Sequence, residues 1–469
     1  MQSTDLLSII DSEIESSRAS VAADTIKFIN IKSVQGEPLP SAPFGIGPKR
    51  MLDEFLEMAE NDGFFVKDYG VGVASASLKD GEPDLGIWLH GDVVPEGDGW
   101  DFDPYNAVEY KGCIIGRGAT DNKGQLAAAY NLLKIFKKLG IELKYNPAIY
   151  LGSNEESGMK DLSGVEGNPD AKGFINLYTP PRLSLVPDSS FPVGYGGKGS
   201  MNISIRSKSA LTSLSFTAGE DASPGLATAR FFDSVSLSGA SDKCSISEDG
   251  REVSAFTPPR HAARPDPDGN MITNLTSFLI DSADICDSDK KILSVLRDIS
   301  LDINGKGIGI ATEHEILGNL TVFSKQAISK DGKIELFLNI RYPIGITYEQ
   351  ICKKVSKFAE ENGFETASAS LSTNPYLMNK DSEIVRMLFE VASSITGDPK
   401  QPYTLSGATY AHKLPNAYAF GGSGNCPPDD FKPGRGGAHK IDESVSLDRL
   451  LRMMRIYARA LIRLNNITF

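Results

Sequence analysis

The sequence predicts an α/β protein: a discontinuous domain with a mixed sheet flanked by helices, interrupted by an inserted α+β domain. Three observations carry this expectation. Compact apolar runs at 85–90 (LGIWLH) and 148–153 (AIYLGS) bracket an amphipathic segment at 123–139, the strand, helix, strand order of α/β folds. From about 197 the texture changes to period-two alternation, in GSMNISIRSKS and LTSLSFTAG, as half-buried antiparallel strands require. Patterns of the first kind return at 382–396, 417–421 and 444–464. The expected boundaries are therefore 1–196 with 386–469 for the main domain and 197–385 for the insert.

The elements follow in order. Residues 4–34 carry helical periodicity through Leu6, Leu7, Ile10 and Ile14, then Val21, Ile26, Phe28 and Ile29. A second amphipathic helix is expected at 48–61, closed by the turn Asn61-Asp62-Gly63, and a short apolar stretch at 72–78 precedes the first compact strand. The helix at 123–139 stops at Gly140, a common C-terminal signal. Within the insert, strands are expected at 319–324 and 334–341 and helices at 271–282, 289–300 and 347–362.

At 469 residues the chain is too long for one ordinary domain and fits two. Its 40% hydrophobic and 23% charged residues suit a folded globule. A net charge of -13, with a pI near 5.0, disfavours nucleic acid or an anionic membrane as partner. No apolar run is long enough for a membrane span, and MQSTDLLSIIDSEIESS lacks the regions of a signal peptide. Cys113, Cys244, Cys286, Cys352 and Cys426 are scattered without CxxC spacing. They read as reduced thiols in a cytoplasm rather than a disulfide frame or a cysteine-based zinc site.

The densest chemistry lies at 88–124, WLHGDVVPEGDGWDFDPYNAVEYKGCIIGRGATDNKG. His90 and Asp92 stand where an apolar strand ends, the edge at which open α/β sheets place their sites. A histidine two residues from an aspartate suits metal binding, because one ring nitrogen can ligate while the carboxylate orients the ring. A histidine merely satisfied at a strand end is the alternative. Asp121, in a Gly-rich loop ahead of a helix, reads equally as an N-cap and as a ligand. A phosphate cradle is poorly supported, since the GxxxxGKS/T spacing is absent. Glu155 and Glu156 directly follow the strand at 148–153. Adjacent buried carboxylates repel, so they point either to cations or to a solvated acidic loop. With a cation present, one could ligate while its neighbour takes a proton from bound water. Asp188, in LVPDSSFPVGYGGKG, marks another strand-to-loop transition, and His439, in GRGGAHKIDES, precedes a long C-terminal helix. His314 and His412 have no comparable surroundings.

Taken in order, HGDVVPEGDGW, GRGATDNKG, SNEESG, PDSSFP and GGAHKIDE resemble the co-catalytic di-metal peptidase family of carnosinase and acetylornithine deacetylase, over essentially the whole chain. PEGDGWDFDP, PDSSFPVGYGGKG and LNIRYPIG are similar, more narrowly, to its bacterial dipeptidases. The resemblance implies that Asp121 bridges two divalent ions. His90 and Asp188 would complete the ligands of one, Glu156 and His439 those of the other, with Asp92 orienting His90. Glu155 would be the general base and later the proton donor to the leaving amine, and a cis peptide would follow Asp121. One nitrogen and two oxygens per ion suit zinc, with manganese or cobalt as alternatives.

The same resemblance makes the insert a lid that recognises substrate. His261, in FTPPRHAARPDPDGN, would stabilise the oxyanion, although Ala263 stands where the family has serine. Arg341, in LNIRYP, would bind a substrate carboxylate, helped by main-chain amides of Gly407, Ala408 and Thr409 in SGATYA. Asp221, in Asp221-Ala222-Ser223-Pro224-Gly225, replaces a substrate-binding asparagine, which bears on specificity. The implied function is a metal-dependent dipeptidase acting on unblocked dipeptides or short peptides through a metal-bridged water activated by Glu155. An N-acyl amino-acid deacylase of the same family is the alternative, followed by a non-catalytic metal- or peptide-binding protein. The partner is a small peptide substrate, and a monomer is expected, with a dimer as alternative.

Overall fold

The computed structural model describes residues 3–164, 171–219, 225–232, 243–257, 270–422 and 427–469. The chain divides into two compact units, Met1–Gly196 with Leu377–Tyr403 and Thr409–Phe469, and Gly197–Tyr376 with Thr404–Ala408.

In the first unit the N-terminal helical stretch is two helices, Ser3–Ser16 and Arg18–Ile29. They break at Ser17, whose hydroxyl donates to the Ile14 carbonyl at 2.7 Å, a local bond that competes with helix continuation. The unit's sheet runs in the order Phe65–Asp68, Val73–Ser77, Pro147–Gly152, Leu85–His90, Leu183–Val186, Ala417–Ala419, Gly194–Gly197. Leu85–His90 pairs in parallel with both Pro147–Gly152 and Leu183–Val186, while Phe65–Asp68 and Val73–Ser77 pair antiparallel, so the sheet is mixed as expected. Leu85–His90 and Pro147–Gly152 are buried at every residue, which is why they read as unbroken apolar runs. Their shared direction sets the site: His90 ends one strand, Glu155 and Glu156 stand just past the second, and Asp188 just past the third.

Helices Gly124–Lys138 and Leu447–Leu464 cover this sheet's core. On the latter, Leu450, Leu451, Met454, Tyr457, Ala458 and Leu461 are buried, and Arg452 lies on the opposite, exposed stripe. A small antiparallel sheet of Ser444–Ser446, Cys113–Ile115 and Val108–Tyr110 lays the segment after His439 beside the loop that leads to Asp121.

The second unit is an antiparallel sheet in the order Cys244–Ile246, Glu252–Thr257, Gly225–Phe231, Leu214–Gly219, Thr321–Lys330, Lys333–Tyr342, Gly199–Ser207, Phe364–Thr373. Ile334, Leu336, Leu338, Ile340 and Tyr342 alternate inward along Lys333–Tyr342. They pack with residues of helices Met271–Ser282, Asp287–Leu301 and Tyr348–Glu361, including Leu275, Leu296 and Val355. Among the described residues no helix is long and apolar enough to cross a membrane.

Candidate metal centre

Asp121 lies on the single turn Ala119–Lys123 that feeds helix Gly124–Lys138. Its backbone, at φ -147° and ψ 85°, is not helical, and the peptide to Asn122 is cis. The loop reaches this position over Gly118, at φ +91°, where a Cβ would stand 2.8 Å from Val93 Cγ1 and only glycine fits. A capping aspartate would accept from the first helical N–H groups. The helix has no side-chain cap at its start. Instead Asp121 turns one oxygen to each of two imidazoles: Oδ1 is 2.9 Å from His90 Nε2 and Oδ2 is 3.2 Å from His439 Nε2.

His439, in a left-handed conformation at φ 61°, also sets Nε2 at 3.0 Å from Glu156. Potential ligand atoms of His90, Asp121 and Asp188 all fall within 4.8 Å of one another, and so do those of Asp121, Glu156 and His439. The two groups share Asp121.

The donor chemistry fits divalent cations. His90 Nδ1 lies 3.0 Å from the main-chain carbonyl of Asp92. A carbonyl can only accept, so Nδ1 carries the hydrogen, and a neutral ring then turns its Nε2 lone pair towards Asp121. Two acceptors 2.9 Å apart need a proton or a cation between them. Among the described residues no lysine or arginine forms an ion pair with Asp121, Glu156 or Asp188.

Protons alone would charge the imidazoles. Burial opposes a charge on His90, but Asp121, Glu155 and Asp188 outweigh it and raise its pKa well above the usual value. Burial likewise works against His439, yet its contacts with Asp121 and Glu156 push it up to about 11. Desolvation works to raise Asp121, but the two imidazoles hold it far below the usual carboxylate range. Desolvation and the charge of Asp121 lift Asp188 to about 7. A ligating imidazole must be neutral, whereas raised values keep both protonated near neutral pH. Metal uptake therefore expels protons, and affinity weakens as pH falls. Calorimetric titrations in two buffers of different ionisation enthalpy should reveal this release; identical heats in both would contradict it.

Asp92 meets His90 through both its main chain and its side chain. Its main-chain carbonyl makes the closer contact; the carboxylate stands 3.7 Å from Nδ1. The carboxylate also accepts the N–H groups of Glu155 and Glu156, at 3.1 and 3.0 Å, and so fixes the backbone that carries both. Desolvation, then the neighbouring Asp188, hold the Glu155 carboxyl well above its usual range.

Several supporting residues were not found by sequence reasoning. The buried Asp161 accepts the N–H groups of Ser153 and Asn154 and the hydroxyl of Tyr410, bracing the strand end that carries Glu155. Asn122 Nδ2 donates to the Pro187 carbonyl at 3.0 Å and to Asp188 Oδ1 at 3.4 Å. The fully buried Glu443 accepts the N–H groups of both Thr120 and Asp121. The only sequence cue for Glu443 was its place in GGAHKIDE.

In the second unit, Arg341 Nε donates to Asn339 Oδ1 at 3.2 Å. Its Nη1 is buried and has no hydrogen-bond partner among the described residues. Thr321, directly opposite Arg341 in the strand register, has a buried hydroxyl in the same condition, and nothing in its sequence surroundings marks it. Of the three amides expected to receive an anion, that of Thr409 is engaged with His412 Nδ1 at 3.2 Å. Gly407 has open space where a Cβ would stand. His261 and Asp221 lie outside the described residues.

Imidazoles and carboxylates gathered around one shared aspartate, at the carboxyl ends of parallel strands, define a site suited to metal-assisted hydrolysis. Residues 87–463 match the family model described as Peptidase family M20/M25/M40, and the chain belongs to that family. It is thus a hydrolase of the metallopeptidase type, a class that works with divalent metal ions. A Bacillus subtilis (strain 168) relative named "Putative dipeptidase YtjP" is 29% identical over 478 residues, covering 96% of this chain and 98% of its own. The solved structure of the Saccharomyces cerevisiae di-peptidase Dug1p is similar with a TM-score of 0.60 at 16% identity, covering 99% of each chain. Human carnosine dipeptidase 1 reaches 0.58 at 15% identity, covering 98% of this chain and 100% of its own. At such identities these structures speak for the fold.

Proposed function

We propose that the protein is a dipeptidase that cleaves unblocked dipeptides or similarly short peptides with two divalent ions, zinc or else manganese or cobalt. His90 and Asp188 would hold one ion, Glu156 and His439 the other, and Asp121 both. The observation that carries this reading is the Asp121 carboxylate, with one oxygen turned to each imidazole. When bound, the ions would polarise the scissile carbonyl and lower the pKa of a water.

The remaining work falls to the chain. Glu155, whose carboxyl is made more basic by desolvation and by Asp188, takes a proton from the attacking water and returns it to the leaving amine. Asp92 keeps Glu155 and Glu156 in place through their main-chain N–H groups. Arg341 reads the C-terminal carboxylate, supported by the amides of Gly407 and Ala408. A buried guanidinium nitrogen without a partner is costly, and a substrate anion would satisfy it. His261 serves the oxyanion, and Asp221 contributes to substrate binding. Glu155 and the full proposed ligand set are present in the chain, which favours turnover over binding alone.

The test is chelation, reconstitution with zinc, manganese or cobalt, and assay on dipeptides and N-acetyl amino acids. Dipeptides should be hydrolysed and blocked amino acids spared. Arg341→Met should raise KM for dipeptides about 10- to 100-fold, the scale of one lost charged hydrogen bond. Preferential turnover of N-acetyl amino acids would replace the dipeptidase with the deacylase of the same family. Metal uptake without turnover of either would leave a binding protein.

A further inference from the structure

Arg117 and Glu443 are 2% and 0% exposed, and Glu443 belongs to neither group of candidate metal ligands. Glu443 Oε1 accepts the N–H groups of Thr120 and Asp121, both at 3.0 Å, and Oε2 accepts Arg117 Nη1 at 2.7 Å. The Glu443 carbonyl accepts the N–H of Gly116 at 2.8 Å. Arg117 Nη1 also donates to the Lys440 carbonyl at 3.2 Å, and Nη2 to the Glu96 carbonyl at 3.1 Å. Its guanidinium lies over the Trp100 ring, 5.1 Å from the centroid. One ion pair thus ties together the loop of Asp121, the segment of His439 and the segment that follows Asp92.

The geometry points to Arg117 and Glu443 as a positioning pair that sets the spacing between Asp121 and His439, and so governs the ion site those two residues share with Glu156. Two of that site's three ligands sit on segments the pair clamps. The other site draws only Asp121 from them, because His90 is fixed by its strand and the Asp92 carbonyl, and Asp188 stands just past strand Leu183–Val186. A buried ion pair is a poor device for stability alone, since packed apolar residues of similar volume often do as well or better. Its directional bonds to main-chain groups on both sides of the site suit the outer-shell role of orienting ligands. This inference rests on reading Asp121 as a shared ligand, not on the identity of the peptide cleaved.

The experiment is calorimetric titration of metal-free protein with zinc, alongside thermal unfolding without metal. His439→Ala first identifies which binding step belongs to the His439 site. In Glu443→Gln that step should weaken about 10- to 100-fold while the other stays nearly unchanged. Arg117→Met/Glu443→Gln, which leaves no buried charge unpaired, should show the same split and guards against misfolding of the single variant. A merely structural role would lower the unfolding temperature without separating the two steps. Equal weakening of both steps, or of neither, overturns the inference while sparing the dipeptidase reading. Uptake of a single ion by the unaltered protein sinks both.

Discussion

Replacing Glu155 with glutamine should leave both ions bound and lower kcat by about 10²- to 10⁴-fold, the contribution typical of a positioned general base. Glutamine keeps the side chain's size but cannot take up a proton. Glu155 lies outside both groups of candidate ligands, so the metal sites should survive the change. The local backbone should also persist, because Asp92 holds residue 155 through its main-chain N–H at 3.1 Å, which the substitution does not touch. KM should change little, since the lost interaction belongs to the transition state rather than to substrate binding. Metal content and steady-state kinetics on one dipeptide decide the matter. Unchanged kcat removes Glu155 from the role of base. Loss of an ion would recast it as a ligand.

That the pair Glu155 and Glu156 stands out in the sequence has a physical basis, whereas the choice of Glu155 as base comes from the family resemblance alone. Leu85–His90 and Pro147–Gly152 are buried on both faces, so they appear as compact apolar runs, and the polar residues that end them stand out. Phe364–Thr373 gave no such signal. It lies at a sheet edge with most of its residues exposed or half-buried, and the alternation in FETASASLST is carried by Ala and Ser, whose small contrast in hydrophobicity makes a weak signal. The first compact unit takes up the chain again at Leu377, ahead of the helical periodicity by which the sequence marks the return. Leu377–Tyr403 already belong to the first unit; the Met378 N–H donates to the Tyr195 carbonyl at 2.7 Å.

The site divides in the same way. Histidines and carboxylates at strand ends are visible because polar groups interrupt apolar patterns. Arg117 and Glu443 are 326 positions apart, and no local spacing announces their pairing. Thr321 meets Arg341 only through strand register, which a sequence does not display. For Asp92 the pairing with His90 was legible, but not its hold on the N–H groups of Glu155 and Glu156, 63 and 64 positions away.

Changing Asp121 to asparagine should cost more than the loss of the base, because it removes the one group common to both sites. An asparagine side chain offers one acceptor oxygen and an amide nitrogen that only donates. Whichever imidazole faces the nitrogen loses its carboxylate neighbour, so at most one ion should remain. The fold around the position should persist, because Glu443 holds residue 121 through its main-chain N–H at 3.0 Å. Metal that binds only the folded state stabilises it by about 4 kcal/mol at 1,000 times its Kd. The unaltered protein should therefore gain thermal stability on adding zinc, and Asp121→Asn should lose at least one ion's share of that gain. Hydrolysis that depends on both ions should then fall further than in Glu155→Gln, a variant expected to keep its metal and lose only the base. The two variants separate ion capture from proton transfer. An Asp121→Asn protein that takes up two ions as tightly as the parent would show that the carboxylate's two oxygens, despite facing two imidazoles, are not what joins the sites.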